Sequence, residues 1–260
     1  MTHPLGRKPF VPDDRDWPVA LLKSRIDMGT SVPLSWSVPS ILDQGDTGHC
    51  VGFGTAGACN ADDANHVASG LTDADAHALY YAAKVIEGDP MGEDGAYVRD
   101  GLKAAKDAGL IDAYSLLRTK DEVQDWLEHH GPVVVGSDWL TGMDSPDAQG
   151  FVTAGGRIRG GHCYYANGDT KGLDCVNSWG DGWAKGGRFY FDSGNFDELM
   201  GYDFESWAVT QAAPTPPPDP EPTPEPIPTP PFPRPTWWET LTALLAELLA
   251  WAKHLFDDRD

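Results

Sequence analysis

Four side chains in this sequence have the types and spacing that nucleophilic catalysis needs. The first two lie in "ILDQGDTGHCVGFG", residues 41–54, where Gln44 precedes Cys50 by six positions. A thiol is a useful nucleophile only as the thiolate, which a helix N-terminus or a nearby cation stabilises. Cys50 follows a Gly-rich turn and opens a small-residue helical run, so the unpaired N–H groups of that first turn favour a negative sulfur. Taken alone, a cysteine after a turn is usually an inert core residue.

His162 follows two glycines in "RGGHCYYANGD", and Asn177 comes fifteen residues later in "VNSWGDGWAKGGRFYF". A hairpin of 163–167 with 173–177 sets Asn177 beside His162. The Asn177 amide oxygen then accepts from one imidazole nitrogen while the other faces Cys50, which is the order nucleophile, base and orienter. Gln44 supplies an amide N–H which, with the Cys50 backbone N–H, can hold the oxyanion that forms as a thiolate attacks a carbonyl.

The elements that must position these groups can be read in outline. Helical signals run from Cys50 to Gly70, from a Thr72/Asp75 start through "AHALYYAAKVIEG", over "VRDGLKAAKDAGL", and from a Thr119/Glu122 capping box to the Gly131-Pro132 stop. Strand signals follow in "VVVGSDW", "HCYYANG", "LDCVNSW", "RFYFD" and "WAVT". Helices first and strands later predict an α+β fold of two packed halves with a cleft between them.

These residues resemble the papain-like cysteine peptidases. "DQGDTGHC" is similar to that family's Gln loop and catalytic Cys, "GGHCYYANGD" to its His strand, and "NSWGDGWAKGGRFYF" to its Asn motif. "GEDGAYVRDGLKAAKDAGLI" is similar to the region of its substrate-binding glycine, and "FESWAV" to its last strand. The resemblance spans about residues 30–210 and keeps the order Gln, Cys, His, Asn. It implies a helical left half, an antiparallel sheet or barrel on the right, and a thioester acyl-enzyme. It further implies that Cys50 is the nucleophile, His162 the acid and base, Asn177 the orienter and Gln44 an oxyanion donor. Trp179 and Trp183 would shield the His162–Asn177 bond. Gly95 would pair with an extended substrate, and Gly160, Gly161 and Cys163 would lie near a side-chain pocket. The sequence departs from the family pattern at Thr47, where a cysteine is usual, at His49, where a small residue is usual, and at Val51, where an aromatic is usual. With 49 residues before Cys50, the chain resembles the compact bacterial or phage-type members made without an inhibitory pro-segment.

Composition narrows the partners. Forty acids against 19 bases give a net charge of −21, so nucleic acid is excluded as a partner and an anionic membrane surface is disfavoured. A positively charged substrate is drawn in rather than repelled. The acidic and His clusters "NADDANH" and "TDADAHA" match no metal-binding loop and read as solvated helix faces, so neither a metal nor a cofactor is expected. The first residues carry no signal-peptide pattern, which predicts cytoplasmic synthesis, with virion association or release by lysis as later fates. Cys59, Cys163 and Cys175 are expected to be thiols, with a Cys163–Cys175 pair left open.

Four segments are expected: an N-terminal extension 1–29, a peptidase domain 30–212, a Pro-rich linker 213–235 and an amphipathic helix 236–260. Residues 214–235 hold 13 prolines, which makes an extended spacer. The last segment places Trp237, Leu241, Leu244, Leu248 and Leu255 on one face, which suits self-association or a partner protein. The expected activity is peptide-bond hydrolysis. A cell-wall peptide hydrolase of lysin type, using the same site, and a catalytically silent binding module are the alternatives.

Overall fold

A computed structural model describes residues 3–14, 16, 19, 35–61, 70–90 and 94–211. The chain divides into two units, Met1–Pro214 and Thr215–Asp260. The second unit, with most of the expected linker and the helix at 236–260, lies outside the described residues, as does most of 15–34.

Among the described residues three helices precede the first strand over 50–110: α1 (Cys50–Asn60), α2 (Asp73–Glu87) and α3 (Val98–Asp107). Every residue of α1 is buried, because small side chains all round it let neighbours approach on every side. A side chain at Gly52 would strike the Ala76 carbonyl of α2, and one at Gly54 would strike the Cys163 sulfur. The helix is shorter than the expected run to Gly70. Ala61 turns to extended geometry, and the Asn60 carboxamide pairs with the Leu71 backbone at 2.7 and 2.6 Å. The expected Thr72/Asp75 capping box opens α2, and Gly88, at φ 83°, ends it.

Six strands form one antiparallel sheet: β1 (Ile111–Leu117), β2 (Val133–Leu140), β3 (Ile158–Gly168), β4 (Leu173–Val176), β5 (Arg188–Phe191) and β6 (Phe204–Gln211). Their spatial order is β1-β6-β2-β3-β4-β5. Alternate residues serve opposite faces. Val134, Cys163, Tyr165, Val176 and Trp207 pack with α1, α2 and α3. Val133, Val135, Tyr164, Cys175 and Ala208 pack with Trp126 of α4 (Lys120–His129) and Phe196 of α5 (Ser193–Leu199). All four cysteines are free thiols, and Cys163 and Cys175 lie in different halves of the core. Both β1 and α5 went unread in the sequence. A short strand between two helices and a two-turn helix between two strands carry too few residues to show a period.

Candidate active site

Cys50 is the first residue of α1, and His162 lies near the start of β3, beside Cys163. The β3–β4 hairpin pairs Tyr165 with Val176, so the chain leaves β4 at Asn177 alongside the strand that carries His162. The His162 Nε2–H donates to Asn177 Oδ1 at 2.8 Å, and the Ser178 backbone N–H donates to the same oxygen at 2.8 Å. Among the described residues, His162 Nδ1 is buried and has no hydrogen-bond partner. The imidazole is enclosed by aromatic rings: Trp179 stacks on it at 4.9 Å and Trp139 meets it edge-on at 5.0 Å. Trp183 packs against Trp179 at 4.9 Å, one ring further out.

The Gln44 loop is tied to the same motif by backbone pairing. Asp43 bridges Trp179, and the Gln44 N–H donates to the Ser178 carbonyl at 2.9 Å. The Ser178 hydroxyl donates to Gln44 Oε1 at 2.8 Å, which turns the Gln44 Nε2–H groups outward to the Thr47 carbonyl and to the Pro4 carbonyl, the latter at 3.2 Å. Thr47, where the family has a cysteine, closes the turn through its own hydroxyl, which donates to the Gln44 carbonyl at 2.7 Å. His49 serves packing: its ring stacks on Tyr80 at 3.8 Å, and its Nδ1 shares a hydrogen bond with His77 Nδ1 at 2.7 Å.

The chain's own N-terminal segment lies along this site. His3 stacks on Trp179 at 4.5 Å, and the Pro4 carbonyl takes the Gln44 amide. The Arg7 N–H donates to the Gly161 carbonyl at 3.0 Å on one side. On the other, the Ala96 N–H donates to the Gly6 carbonyl and the Lys8 N–H to the Ala96 carbonyl, each at 2.9 Å. Gly161 permits this approach, since a Cβ there would lie 2.3 Å from the Arg7 carbonyl oxygen. Ala96, rather than Gly95, therefore offers its backbone to an extended chain. The Gly95 N–H is spent on the Tyr80 hydroxyl, and its carbonyl accepts from Lys84. Gly160 lies beside Leu5, and the Cys163 thiol is wholly buried against Gly54.

Covered in this way, the site is electrically neutral. Burial pushes the Cys50 thiol up to about 11, although the N–H groups of Cys163, Gly6 and Val51 point at the sulfur and oppose the rise. Burial pulls His162 down to about 4, against the Asn177 hydrogen bond that favours its charged form. Cys50 is therefore a thiol and His162 a neutral imidazole, and no hydrogen bond joins the Cys50 sulfur to His162 Nδ1, contrary to the pairing that the sequence spacing predicts.

A helical half packed against a six-stranded antiparallel sheet is matched among solved structures. Xylellain, a cysteine protease from Xylella fastidiosa, superposes with a TM-score of 0.58 at 17% identity, over 81% of this chain and 97% of that one. The chain has the papain-like fold. A procathepsin B from Trypanosoma congolense agrees at a TM-score of 0.52 and 14% identity, over 80% of this chain and 83% of that one. No family model matches the sequence, and no curated protein matches it. Of the residues singled out in the sequence, the structure groups Gln44, His162, Asn177, Trp179 and Trp183 through direct contacts and sets Cys50 at the head of α1. Trp139, Ser178, Ala96 and the segment 3–8, which contact these residues, were not singled out. Ser178 was open to inference from its place beside Asn177. The segment 3–8 has no local signal.

Proposed function

We propose that the chain is a cysteine peptidase. The reading rests on one observation above the others: an imidazole bonded through Nε2 to Asn177, with Nδ1 unpartnered, on the strand next to the cysteine that opens α1. In the proposed mechanism His162 takes the Cys50 proton through Nδ1, and the thiolate attacks a peptide carbonyl. Gln44 Nε2–H and the Cys50 N–H donate to the oxyanion. The imidazolium protonates the leaving amine, a thioester remains, and water activated by the same imidazole releases the acyl group. Asn177 holds the ring, and Trp139, Trp179 and Trp183 keep water from the His162–Asn177 bond. The neutral pair of the covered site describes the resting state, and turnover begins when substrate displaces residues 3–8.

The test is labelling with a peptidyl epoxide followed by mass mapping, and hydrolysis of a general peptide mixture. Labelling at Cys50 that His162→Ala abolishes, together with hydrolysis that Cys50→Ala abolishes, supports the reading. A folded chain whose Cys50→Ala variant still cleaves peptides refutes it. Clearing of a purified cell-wall suspension without general protein cleavage would assign the same site to the lysin-type alternative.

A further inference from the structure

One of the rings around His162 is anchored from outside the aromatic box. Trp139 of β2 is wholly buried and meets the imidazole at 5.0 Å, Trp179 at 4.9 Å and Phe189 at 5.6 Å. Its indole N–H points out of that cluster and donates to Asp144 Oδ1 at 2.9 Å. Asp144 lies five residues further on, directly after the 3-10 turn Thr141–Met143 that follows β2. The same carboxylate oxygen accepts from Arg159 Nη1, so a cation on β3 holds the acid. Arg159 reaches it because the register of β2 on β3 slips there. Trp139 pairs with Gly160 but Leu140 pairs with Ile158, which leaves Arg159 as the extra residue of a bulge. The contacts close a ring from Arg159 on β3 through Asp144 and Trp139 to His162, three residues beyond Arg159. Asp144 and Arg159 are partly exposed while Trp139 and His162 are buried, so the ring runs from the surface to the imidazole.

We infer that Asp144 is a positioning residue for the His162 imidazole, that it acts through Trp139, and that Arg159 holds it in place. This rests on the peptidase reading for its kinetic consequence and on the ring of contacts for its geometry. Asn177 grips the imidazole at one edge, through Nε2, and a ring held at one edge can still swing about that bond. Trp139 stands across the swing, its plane 82° from that of the imidazole. Dispersion contacts alone leave a stacked ring free to slide, because they have no preferred direction. A hydrogen bond to an ionised acceptor has one, and it is stronger than a neutral bond. Among the described residues, Trp179 Nε1 is buried without a hydrogen-bond partner, so packing alone orients that ring. The directional restraint on the box therefore enters at Trp139, and Asp144 supplies it.

The test compares Asp144→Leu, which removes the acceptor at similar size, with Asp144→Asn, whose side-chain oxygen still accepts from the indole. In the full chain, with a peptide substrate, Asp144→Leu should lower kcat about tenfold and leave KM nearly unchanged, while Asp144→Asn keeps most of kcat. Trp139→Phe keeps a ring in the box without the N–H. It should lose about as much as Asp144→Leu, and the double variant no more than either alone. Additive losses, a loss seen in KM alone, or an Asn variant as impaired as the Leu variant overturns the proposal. A second readout needs no turnover. The nuclear Overhauser contact between the Trp139 and His162 rings should weaken in Asp144→Leu and persist in Asp144→Asn, and persistence in both overturns the proposal. If the unaltered chain cleaves no peptide, the peptidase reading fails and the ring contact alone decides the role of Asp144. If Asp144→Leu does not fold, Trp139→Phe and Asp144→Asn carry the comparison. A low kcat in the first and a retained one in the second supports the proposal, and the reverse overturns it.

Discussion

Asn177 does its work through one oxygen, which takes hydrogen bonds from both His162 Nε2 and the Ser178 N–H at 2.8 Å. That double use fixes the carboxamide, so the carboxamide fixes the ring. Replacing Asn177 with Ala leaves the imidazole in its aromatic box but free to rotate. In the proposed mechanism kcat should fall roughly tenfold to a hundredfold with KM little changed, a part of the ~10²–10⁴ that acid–base catalysis supplies. Steady-state kinetics with a peptide substrate measure it, and a rise in KM at constant kcat would assign Asn177 to substrate binding instead. The departures from the family pattern resolve at this scale too. Thr47 closes its turn with a hydrogen bond to the Gln44 carbonyl, and His49 packs with Tyr80 and His77.

Among the elements, α1 sets the position of Cys50, and it does so by contact on all sides. The sequence "CVGFGTAGACN" reads as a helix of small residues, and its glycines fall where β3 and α2 press closest. A Cβ at Gly54 would lie 2.7 Å from the Cys163 sulfur and 3.1 Å from the Tyr164 nitrogen. Gly54→Val should therefore destabilise the protein by about 1–3 kcal/mol or more through overpacking, and should lift α1 from β3. Urea unfolding reads the first effect and the rate of Cys50 alkylation the second. A stable variant with unchanged alkylation would mean that α1 is not held by this contact.

The molecule as a whole couples its N-terminal segment to the titration of the site beneath it. Burial pulls the His162 pKa down to about 4, from an ordinary 6.5, and His3, stacked on Trp179 beside it, adds to the lowering. A group lowered by covering favours the covered form above its ordinary value and opposes it as pH falls through 6.5 toward 4. Glu205 adds the same sign. Burial raises its pKa and the Arg7 guanidinium opposes the rise, so protonating Glu205 breaks the pair. Protection of the Arg7 and Lys8 amides, which bond to Gly161 and Ala96, should therefore fall between pH 6.5 and 4, after correction for intrinsic exchange. Protection that holds constant across this window would show that the segment is not linked to either group.

Gln44, Cys50, His162 and Asn177 as candidates, the caps of α2, and five of the six strands were legible in the sequence. Each is a local pattern: a motif, a spacing of three or a period of two. The α+β class followed from the order of those patterns. Local patterns do not record what meets across the fold. Arg7 and Glu205 are 198 residues apart, Gln44 and Ser178 are 134 apart, and the edge strand β1 takes its place only by pairing with β6. The sequence alone determined the chemistry available to this chain. The tertiary structure alone decided that residues 3–8 lie along the site and that Arg7 pairs with Glu205, because closure of long loops brings together groups that no short-range propensity can pair.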